Sequence, residues 1–581
     1  MARYFKYIKK YWYCFVLGPV FMVLEATGEF LLPYINASII NNGVGKRAST
    51  SYILKCGGYM SALAVFMLIT GVLGAYFAIK GSSNLAADIR KNTYKKIQKL
   101  SFSDIDKFST GSLITRITND ITQVQSFTAT LLRGVFRSPV MLIGALVMSF
   151  SLNAKLARVF LVVIPVLALL MFVIIRTCNP RYIKMQEGLD NLNTNIGETI
   201  TNERVIKSFV REEYQKKNFR ILNARLVKRT INALKIMMLM MPAYNIIINV
   251  TTLIVIAVSS RQINVGDMDI GSLTAFITYL NQVLMALNFM ANIILQGSRA
   301  AASNRRIAEV LDYSVKLTDD TAKQPDKVIE KGDIEFRSVD FSYFENKNDN
   351  VLNNINLKIE GGSFVGIIGS TGSGKTTLVS LIPRLYDTTK GEVFIDGTNV
   401  KDYSLYNLRE GISFVLQKNT LFSGTVAENL RWGKENATDK EIKEAAKIAC
   451  ADAFIMAQKD GYDTETAQDG KNFSGGQKQR LCIARALLKK PKILILDDSV
   501  SAVDTATDAA IRKNLREYMP STTKIVIAQR INSVIDADTI IVIDKGEIAG
   551  IGNHDTLIDS CLPYREIYLS QKDLNEGGAA S

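Results

Sequence analysis

The chain is poor in the residues that most often carry metal and acid–base chemistry. Its 581 residues include one histidine, His554, which leaves histidine catalysis and histidine-rich metal sites almost nothing to work with. The six cysteines are scattered without a C-x-x-C spacing, so neither a metal site nor a disulfide framework is indicated, and a reducing compartment is expected. These cysteines are Cys14, Cys56, Cys178, Cys450, Cys482 and Cys561.

Charge and hydropathy point to a membrane. The formal net charge is +15, which alone would suit a nucleic-acid partner. However, 48% of the residues are hydrophobic and the mean hydropathy is +0.11. Long apolar runs fill the first half of the chain, so basic cytoplasmic surfaces of a membrane protein explain the charge better, and no nucleic-acid partner is predicted. The length predicts several domains.

Six apolar segments are long enough to cross a bilayer, which takes about 20 mostly apolar residues. A basic soluble helical domain would not repeat such runs. Only Asn153-Ala-Lys155 separates the third segment from the fourth, which predicts a tight reversal there. The predicted spans lie near residues 12–40, 55–79, 131–152, 157–176, 234–258 and 271–296.

Charge in the links predicts the orientation. The links after the second and fourth spans are long and rich in Lys and Arg, whereas those near 41–52, 153–156 and 259–269 carry few charges. The positive-inside rule then places both termini in the cytoplasm of a multi-pass cell-membrane protein. Residues 1–10 are basic and aromatic, which suits a helix lying on anionic membrane lipid.

Polar residues inside the predicted spans are candidates for a substrate cavity, because they are costly in a bilayer. Glu25 and Glu29 share a face of the first span, where their charge favours water or a cation and is compatible with a cationic substrate. A stripe in the sixth span suits either an adaptable wet cavity or interhelical hydrogen bonding. Its members are Asn281, Met285, Asn288, Asn292 and Gln296.

The composition shifts after the spans. We predict a transmembrane domain over 1–315, a polar linker over 316–332, a nucleotide-binding domain over 333–573 and a tail over 574–581. The loop Gly369-Ser-Thr-Gly-Ser-Gly-Lys-Thr376 follows an apolar strand and precedes a helix. In that context glycine N–H groups surround phosphates, the lysine reaches the β- and γ-phosphates, and the threonine hydroxyl can bind Mg²⁺. A plain glycine-rich turn is the alternative, and the flanking pattern disfavours it.

Two further stretches carry phosphate chemistry. Ile493-Leu-Ile-Leu-Asp-Asp498 is an apolar strand that ends in carboxylates, where Asp497 is placed to organise Mg²⁺. Phe473-Ser-Gly-Gly-Gln477 precedes a basic helix, whose N-terminus offers N–H groups and a positive dipole end. Two phosphate-binding devices so far apart suggest two chains that enclose shared nucleotides. Tyr343, at the end of an alternating strand, is placed to stack on a base.

Together these residues resemble the motif set of the ABC exporter half-transporters. The resemblance implies an all-α domain of six transmembrane helices with long cytoplasmic extensions, then an α/β P-loop domain with a helical subdomain. The stretches 102–116 and 206–213 would be coupling helices at the tips of helical hairpins. ATP and Mg²⁺ are the implied ligands, and a second half-transporter is the implied partner.

The same resemblance assigns individual roles. Tyr343 would be the adenine-stacking aromatic, Ser501–Asp504 the D-loop, and Thr376, Gln417 and Asp497 the Mg²⁺ neighbours. Gln417 would also touch the membrane-domain hairpins. The implied nucleotide loop comprises Gly369, Thr371, Gly372, Ser373, Gly374, Lys375, Thr376 and Thr377, and the implied signature comprises Ser474, Gly475, Gly476 and Gln477.

Two positions depart from the family pattern. Asp498 stands where most members have the catalytic glutamate, and Gln529 stands where they have a histidine. A misplacement of about 1 Å can cost about a hundredfold in rate, and a neutral amide stabilises a developing anion less than a cation does. Both changes spare binding groups and remove transition-state groups. Gln468, where many members have glutamate, is a further asymmetry.

We therefore expect one half of a heterodimer that exports small hydrophobic or amphipathic compounds. This chain would hold ATP at a degenerate site and lend Ser474 to a competent site on a non-identical partner. A homodimer of slow sites is the weaker alternative. A lipid flippase, a peptide exporter, an ATP-gated channel and a regulatory subunit share the architecture and stay open, whereas the six spans disfavour a soluble ATPase.

Overall fold

The computed structural model describes residues 5–45, 49–320, 322–343, 350–498 and 503–577. The chain divides into two compact units that are not contiguous in sequence. The first unit comprises Met1–Lys96 and Leu113–Asp312, and the second comprises Ile97–Ser112 and Tyr313–Ser581. Residues 97–112 therefore pack with the second unit, and they overlap the stretch 102–116 that was expected to be a coupling helix.

The first half of the chain is helical throughout its described part. Six helical stretches are long and apolar enough to cross a membrane, which confirms the predicted number of spans. Two of them contain π-helical stretches, at Ile39–Gly45 and Arg116–Asp120. The helices are α1 (Phe5–Lys10), α2 (Trp12–Ser38), α3 (Thr50–Ile97), α4 (Phe102–Phe108), α5 (Thr110–Thr115), α6 (Ile121–Gly134), α7 (Arg137–Leu152), α8 (Ala154–Ala157), α9 (Phe160–Thr201), α10 (Glu203–Ser208), α11 (Glu212–Val265) and α12 (Ile270–Leu311).

The third span is broken between α6 and α7. Pro139 has no N–H to donate to the carbonyl of Val135, so the helical hydrogen-bond ladder is interrupted there. The predicted reversal between the third and fourth spans is the short helix α8. Its first turn is capped by Asn153, whose Oδ1 accepts from the N–H of Leu156 at 3.0 Å.

Helix α12 packs against α2, α6 and α7 in the first unit. The ring of Tyr279 is fully buried, and its hydroxyl donates to the carbonyl of Phe30 at 2.8 Å. Gln282 donates to the carbonyl of Glu29 at 2.8 Å. Small residues admit large neighbours, because a Cβ on Gly144 would lie 2.5 Å from the ring of Phe30. Such close helix packing and interhelical hydrogen bonds are typical of membrane bundles.

An ionic network around the buried carboxylate of Asp120 joins the third span to α12. The carboxylate of Asp120 has no exposed surface and accepts from Ser303 Oγ and from Arg306 Nε, each at 2.8 Å. Arg116 pairs with Glu309 at 3.0 Å beside it. Because every oxygen of Asp120 is engaged by a charged or hydroxyl donor, the network holds these two helices in register.

The second unit is an α/β domain. Its strands are β1 (Ile334–Phe341), β2 (Leu352–Ile359), β3 (Phe364–Gly369), β4 (Lys390–Ile395), β5 (Thr398–Asn399), β6 (Ile412–Val415), β7 (Gly424–Thr425), β8 (Glu465–Thr466), β9 (Ile493–Asp497), β10 (Thr523–Ile527), β11 (Thr539–Asp544) and β12 (Glu547–Gly552). Its helices are α13 (Lys375–Ser380), α14 (Leu405–Glu410), α15 (Val426–Arg431), α16 (Asp439–Ile448), α17 (Asp452–Met456), α18 (Gly475–Leu488), α19 (Thr505–Tyr518), α20 (His554–Ser560) and α21 (Leu562–Gly577).

The main sheet has the order β12-β11-β3-β10-β9-β6, with all pairs parallel except β11 with β12. An antiparallel sheet of order β2-β1-β4-β5 forms a second layer. Strands β3, β9 and β10 are buried on both faces, which explains their near-continuous apolar sequence. Helices α15, α16 and α18 pack on one another as the predicted helical subdomain. The carboxyl ends of β3 and β9 lie at one edge of the main sheet, where ligands of such sheets bind.

Helix α4 packs within the second unit. A reciprocal capping box between Ser101 and Asp104 starts the helix. The ring of Phe102 lies 6.3 Å from the ring of Tyr386, whose hydroxyl donates to Asp106 Oδ2 at 3.2 Å. The structure therefore puts the first predicted coupling helix on the surface formed by Tyr386.

Candidate functional site

The glycine-rich loop between β3 and α13 adopts a backbone that only glycine permits at two points. A Cβ on Gly369 would lie 2.0 Å from the carbonyl oxygen of Ile543, so no larger residue fits there. Gly374 has φ +100° and precedes the first turn of α13. The N-terminus of α13 is thereby directed at the loop, which is the arrangement that binds phosphate.

Two side chains of this loop suit a phosphate ligand. Lys375 Nζ donates to the carbonyls of Gly369 and Ser370 at 2.9 and 2.7 Å. Burial lowers the pKa of Lys375, while Asp497 and Asp498 act in the opposite direction. Ser373 Oγ is buried and has no hydrogen-bond partner among the described residues. A buried hydroxyl without a partner is costly, so it favours a ligand oxygen at this loop.

Oxygen donors suited to Mg²⁺ meet at the end of β9. Thr376 Oγ1 donates to Asp497 Oδ1 at 3.0 Å. Burial raises the pKa of Asp497, the adjacent Asp498 adds to that rise, and Thr376 and Lys375 counter it. A hydroxyl beside a carboxylate is the donor set that Mg²⁺ takes alongside nucleotide phosphates, so the residues fit the expected ion.

Asp498 is held by side-chain amides. Its Oδ2 accepts from Gln529 Nε2 at 2.8 Å, and Gln417 also hydrogen-bonds its carboxylate. Burial raises the pKa of Asp498, against the opposing effects of Gln417, Lys375 and Gln529. The residue has φ +47°, an uncommon conformation for a non-glycine residue. The three polar positions singled out from the sequence therefore form one contiguous group beside the phosphate loop.

Tyr343 lies two residues beyond β1 and is 43% exposed. Its hydroxyl lies 2.9 Å from Thr377 Oγ1, which joins it to the phosphate loop. The edge of its ring meets Tyr386, with centroids 5.3 Å apart and an angle of 89°. Tyr386 escaped the sequence reasoning, because an isolated aromatic after α13 carries no periodic signal.

The candidate signature begins α18. Ser474 Oγ accepts from the N–H of Gln477 at 3.3 Å, and Gln477 Oε1 accepts from the N–H of Ser474 at 2.9 Å. Gly475 is exposed and Gly476 partly so, which leaves the first turn accessible to a ligand. In the candidate D-loop, Ser501 and Ala502 lie outside the described residues, whereas Asp504 caps α19.

The two glutamates of the first span share an arginine that the sequence reasoning missed. Arg137 Nε donates to Glu25 at 2.9 Å, and its Nη2 donates to Glu29 at 2.7 Å. The sequence analysis expected water or a cation beside these two glutamates, and the cation is Arg137 of the same helical bundle. A lone arginine at the start of an apolar run, far away in sequence, gave no signal of the pairing.

The polar stripe of α12 does not line a single cavity. Asn281 and Met285 are exposed, and Asn288 borders a small apolar cavity of about 20 Å³ with Leu284. Gln296 borders a larger cavity of about 510 Å³. The side chain of Asn292 lies outside the described residues.

Comparison with known proteins agrees with this architecture. Residues 15–287 match the ABC transporter transmembrane region, and residues 352–501 match the ABC transporter domain. "Uncharacterized ABC transporter ATP-binding protein YfiB" of Bacillus subtilis is 36% identical over 98% of each chain. "Putative multidrug export ATP-binding/permease protein YgaD" of the same organism is 32% identical over 98% of this chain and 99% of its own.

A solved structure shares the fold. A bacterial Atm1-family ABC exporter with ATP bound superposes with a TM-score of 0.80 over 97% of this chain and 98% of its own, at 23% sequence identity. The full-length relatives, both family matches and the shared fold lead to one conclusion: the chain belongs to the ABC transporters, as a half-transporter with the exporter fold in which six candidate membrane spans precede one nucleotide-binding domain.

Proposed function

We propose that the chain is one half of a heterodimeric exporter that uses ATP to move small hydrophobic or amphipathic compounds out of the cell, with both termini in the cytoplasm. The name of the YgaD relative, which specifies multidrug export, supports this cargo class. Tyr343, Lys375 and the glycine-rich loop would bind ATP, and Thr376, Gln417 and Asp497 would surround its Mg²⁺.

The contact between Asp498 and Gln529 carries the proposal of a degenerate site. A general base needs a carboxylate that reaches the attacking water. The Asp498 side chain is one methylene shorter than glutamate, and Gln529 engages its Oδ2 at 2.8 Å. A glutamine in place of histidine supplies no positive charge to the transition state. This site would therefore hold nucleotide and hydrolyse it slowly.

The signature is the part that this chain would lend to its partner. Ser474 caps α18, and the first-turn N–H groups of that helix are free of side-chain bulk at Gly475 and Gly476. An N-terminus of this kind stabilises a phosphate through its N–H groups and dipole. A partner with an intact base would then carry most of the hydrolysis.

Purification from a host that expresses the chain at native levels tests the proposal. We expect a second, non-identical half-transporter in equimolar amount, and ATPase activity near background for the chain purified alone. Inverted vesicles that contain the pair should accumulate a hydrophobic dye against its gradient only with ATP. A dimer of two identical copies with brisk hydrolysis at both sites would overturn the proposal.

A further inference from the structure

A cavity of about 510 Å³ opens between α2, α3, the third span and α12 in the first unit. Charged and apolar side chains line it together. Those that matter here are Met22, Glu25, Arg133, Arg137, Phe289 and Gln296.

The two acidic side chains near this cavity share a single arginine, so the three groups together carry a formal charge of −1. Arg137 donates to both Glu25 and Glu29, and its Nε and Nη2 both reach the Glu25 carboxylate. The remaining oxygen of Glu29 is buried without a partner among the described residues, and Glu29 does not line the cavity. A cationic ligand in the cavity would therefore meet carboxylates that are engaged by an arginine.

Arg133 is the charged group left to a ligand. It lies four residues before Arg137, near the end of α6, is exposed, and borders the cavity. Across the described residues, no hydrogen bond or ion pair to its guanidinium is present. Arg133 lies in the first turn of the predicted third span, 131–152, where an unpaired guanidinium beside a cavity favours an anionic partner. Planar guanidinium groups bind carboxylates and phosphates with two parallel hydrogen bonds.

A second donor faces the same space. Gln296 Oε1 lies 3.1 Å from Thr130 Oγ1, whose single proton also faces the carbonyl of Ser126 at 3.0 Å. When that proton is donated to Gln296, the amide NH₂ group is left to donate. Met22 and Phe289 provide an apolar wall beside these donors. Hydrogen-bond donors at one side and hydrocarbon at the other match a molecule with an acidic head and an apolar tail.

We propose that this cavity binds the acidic head group of an amphiphile, such as a carboxylate, a sulfonate or a phosphodiester, through Arg133 and Gln296. The tail lies against Met22 and Phe289. This inference deepens the proposed export function by naming a substrate class, and it reverses the cationic preference expected from Glu25 and Glu29. A transported amphiphile and a resident anionic lipid share the recognised chemistry.

Direct binding without nucleotide tests the site separately from the degenerate ATP site. The complex, as it purifies, is placed in nanodiscs of phosphatidylcholine. Two fluorescent probes are compared below their micelle concentrations, with the same twelve-carbon tail and either a carboxylate or a trimethylammonium head. We expect the carboxylate probe to bind about tenfold more tightly, as one charge-assisted contact allows.

Variants locate the effect. Arg133→Gln should reduce the preference for the carboxylate to about twofold, and Arg133→Lys should retain most of it because the charge stays. Arg225→Gln, which removes an exposed arginine of α11, is the matched control and should bind as the parent does. An unchanged preference in Arg133→Gln, or tighter binding of the ammonium probe to the parent, would overturn the proposal.

The two sources of the head group differ in a further measurement. If a resident lipid occupies the cavity, phosphatidylglycerol in the nanodisc should displace the carboxylate probe from the parent protein but not alter the residual binding of Arg133→Gln. If a transported amphiphile is the occupant, the probe should stimulate ATP hydrolysis by the parent complex; if a resident lipid is the occupant, the probe should displace it without stimulating hydrolysis. Either result supports an acidic head group at Arg133. A failed heterodimer test would leave this binding result standing.

Discussion

Gln529 Nε2 donates a 2.8 Å hydrogen bond to Oδ2 of Asp498, and Gln417 binds the same carboxylate. A family member with glutamate in place of Asp498 and histidine in place of Gln529 would have a general base one methylene longer and a hydrogen-bond donor that can be positively charged. The contact therefore joins the two sequence departures in one structural feature.

Restoring both groups should raise hydrolysis at this site. We expect Asp498→Glu to increase turnover about tenfold, and Asp498→Glu with Gln529→His about a hundredfold, because a general base contributes at least that much. ATP turnover is measured in a complex whose partner carries an inactivated base. Asp559→Glu, an exposed change on α20, controls for the added methylene. An unchanged rate in the double variant would contradict the assignment of the base.

Lys375→Ala should weaken nucleotide binding here by about tenfold to a hundredfold while the complex keeps part of its turnover. The half-buried ammonium of Lys375 is the only side-chain cation that contacts the loop carbonyls among the described residues, so its loss removes charge from the phosphate position. Nucleotide affinity is measured by equilibrium binding, and turnover in the same preparation. Complete loss of turnover would identify this site as the main source of hydrolysis.

Ser474→Ala should lower turnover without weakening nucleotide binding at this chain's own phosphate loop, which is the opposite of the result expected for Lys375→Ala. Turnover should fall about tenfold or more, since the hydroxyl is proposed to act on nucleotide held by the partner. The change also removes a helix cap, which costs about 1 kcal/mol. Thr438→Ala removes an equivalent capping box from α16 and is the matched control. An equal loss of turnover in Ser474→Ala and Thr438→Ala would show that Ser474 acts only as a helix cap.

Tyr386 connects Tyr343 to α4 within the second unit. Tyr386→Phe keeps the ring against Tyr343 and removes the hydrogen bond to Asp106. We expect nucleotide affinity to stay within about twofold, because the lost hydrogen bond is exposed and joins Tyr386 to Asp106 rather than to the phosphate loop. Stimulation of ATPase activity by transported compounds should fall. Asp106→Asn, which still accepts the bond, should retain stimulation; an equal loss there would exclude the hydroxyl contact as the cause.

The Asp120 network should be sensitive to removal of one partner. Asp120→Ala leaves Arg306 without its carboxylate, and because the Arg306 side chain is 47% exposed, the cost should be below the roughly 3–5 kcal/mol of a fully buried pair. The thermal unfolding midpoint of the purified protein should drop by several degrees. Asp120→Ala combined with Arg306→Met removes both charges and should recover most of the loss. A midpoint for Asp120→Ala equal to that of the parent would show that the pair contributes nothing to stability.

Local pattern predicted the membrane spans, the P-loop and the cap of α18, because each depends on a short run of adjacent residues. Local pattern could not predict contacts between residues that are far apart in the sequence. The partner of Glu25 is Arg137, which lies 112 positions away, and the neighbour of Asp106 is Tyr386, which lies 280 positions away. Such contacts arise from how helices and strands pack, and a single sequence carries no spacing rule for them.

The amide stripe of α12 shows the same limit. Its helical spacing predicted one shared face lining a wet cavity or an interhelical contact, yet Asn281 is exposed, and Asn288 and Gln296 border different cavities. Periodicity assigns residues to a face of one helix. The shape of the space beside that face is set by neighbouring helices, such as the bulk of Phe289 over Gly134.

The grouping of residues 97–112 with the second unit has a practical consequence for protein production. A truncation that starts at the linker to obtain a soluble ATPase would remove Phe102 and Asp106 from the surface of Tyr386. The shortened product would expose the apolar surface around Tyr386 to solvent, so it should self-associate more readily. Adding α4 back as a synthetic peptide should reduce this self-association.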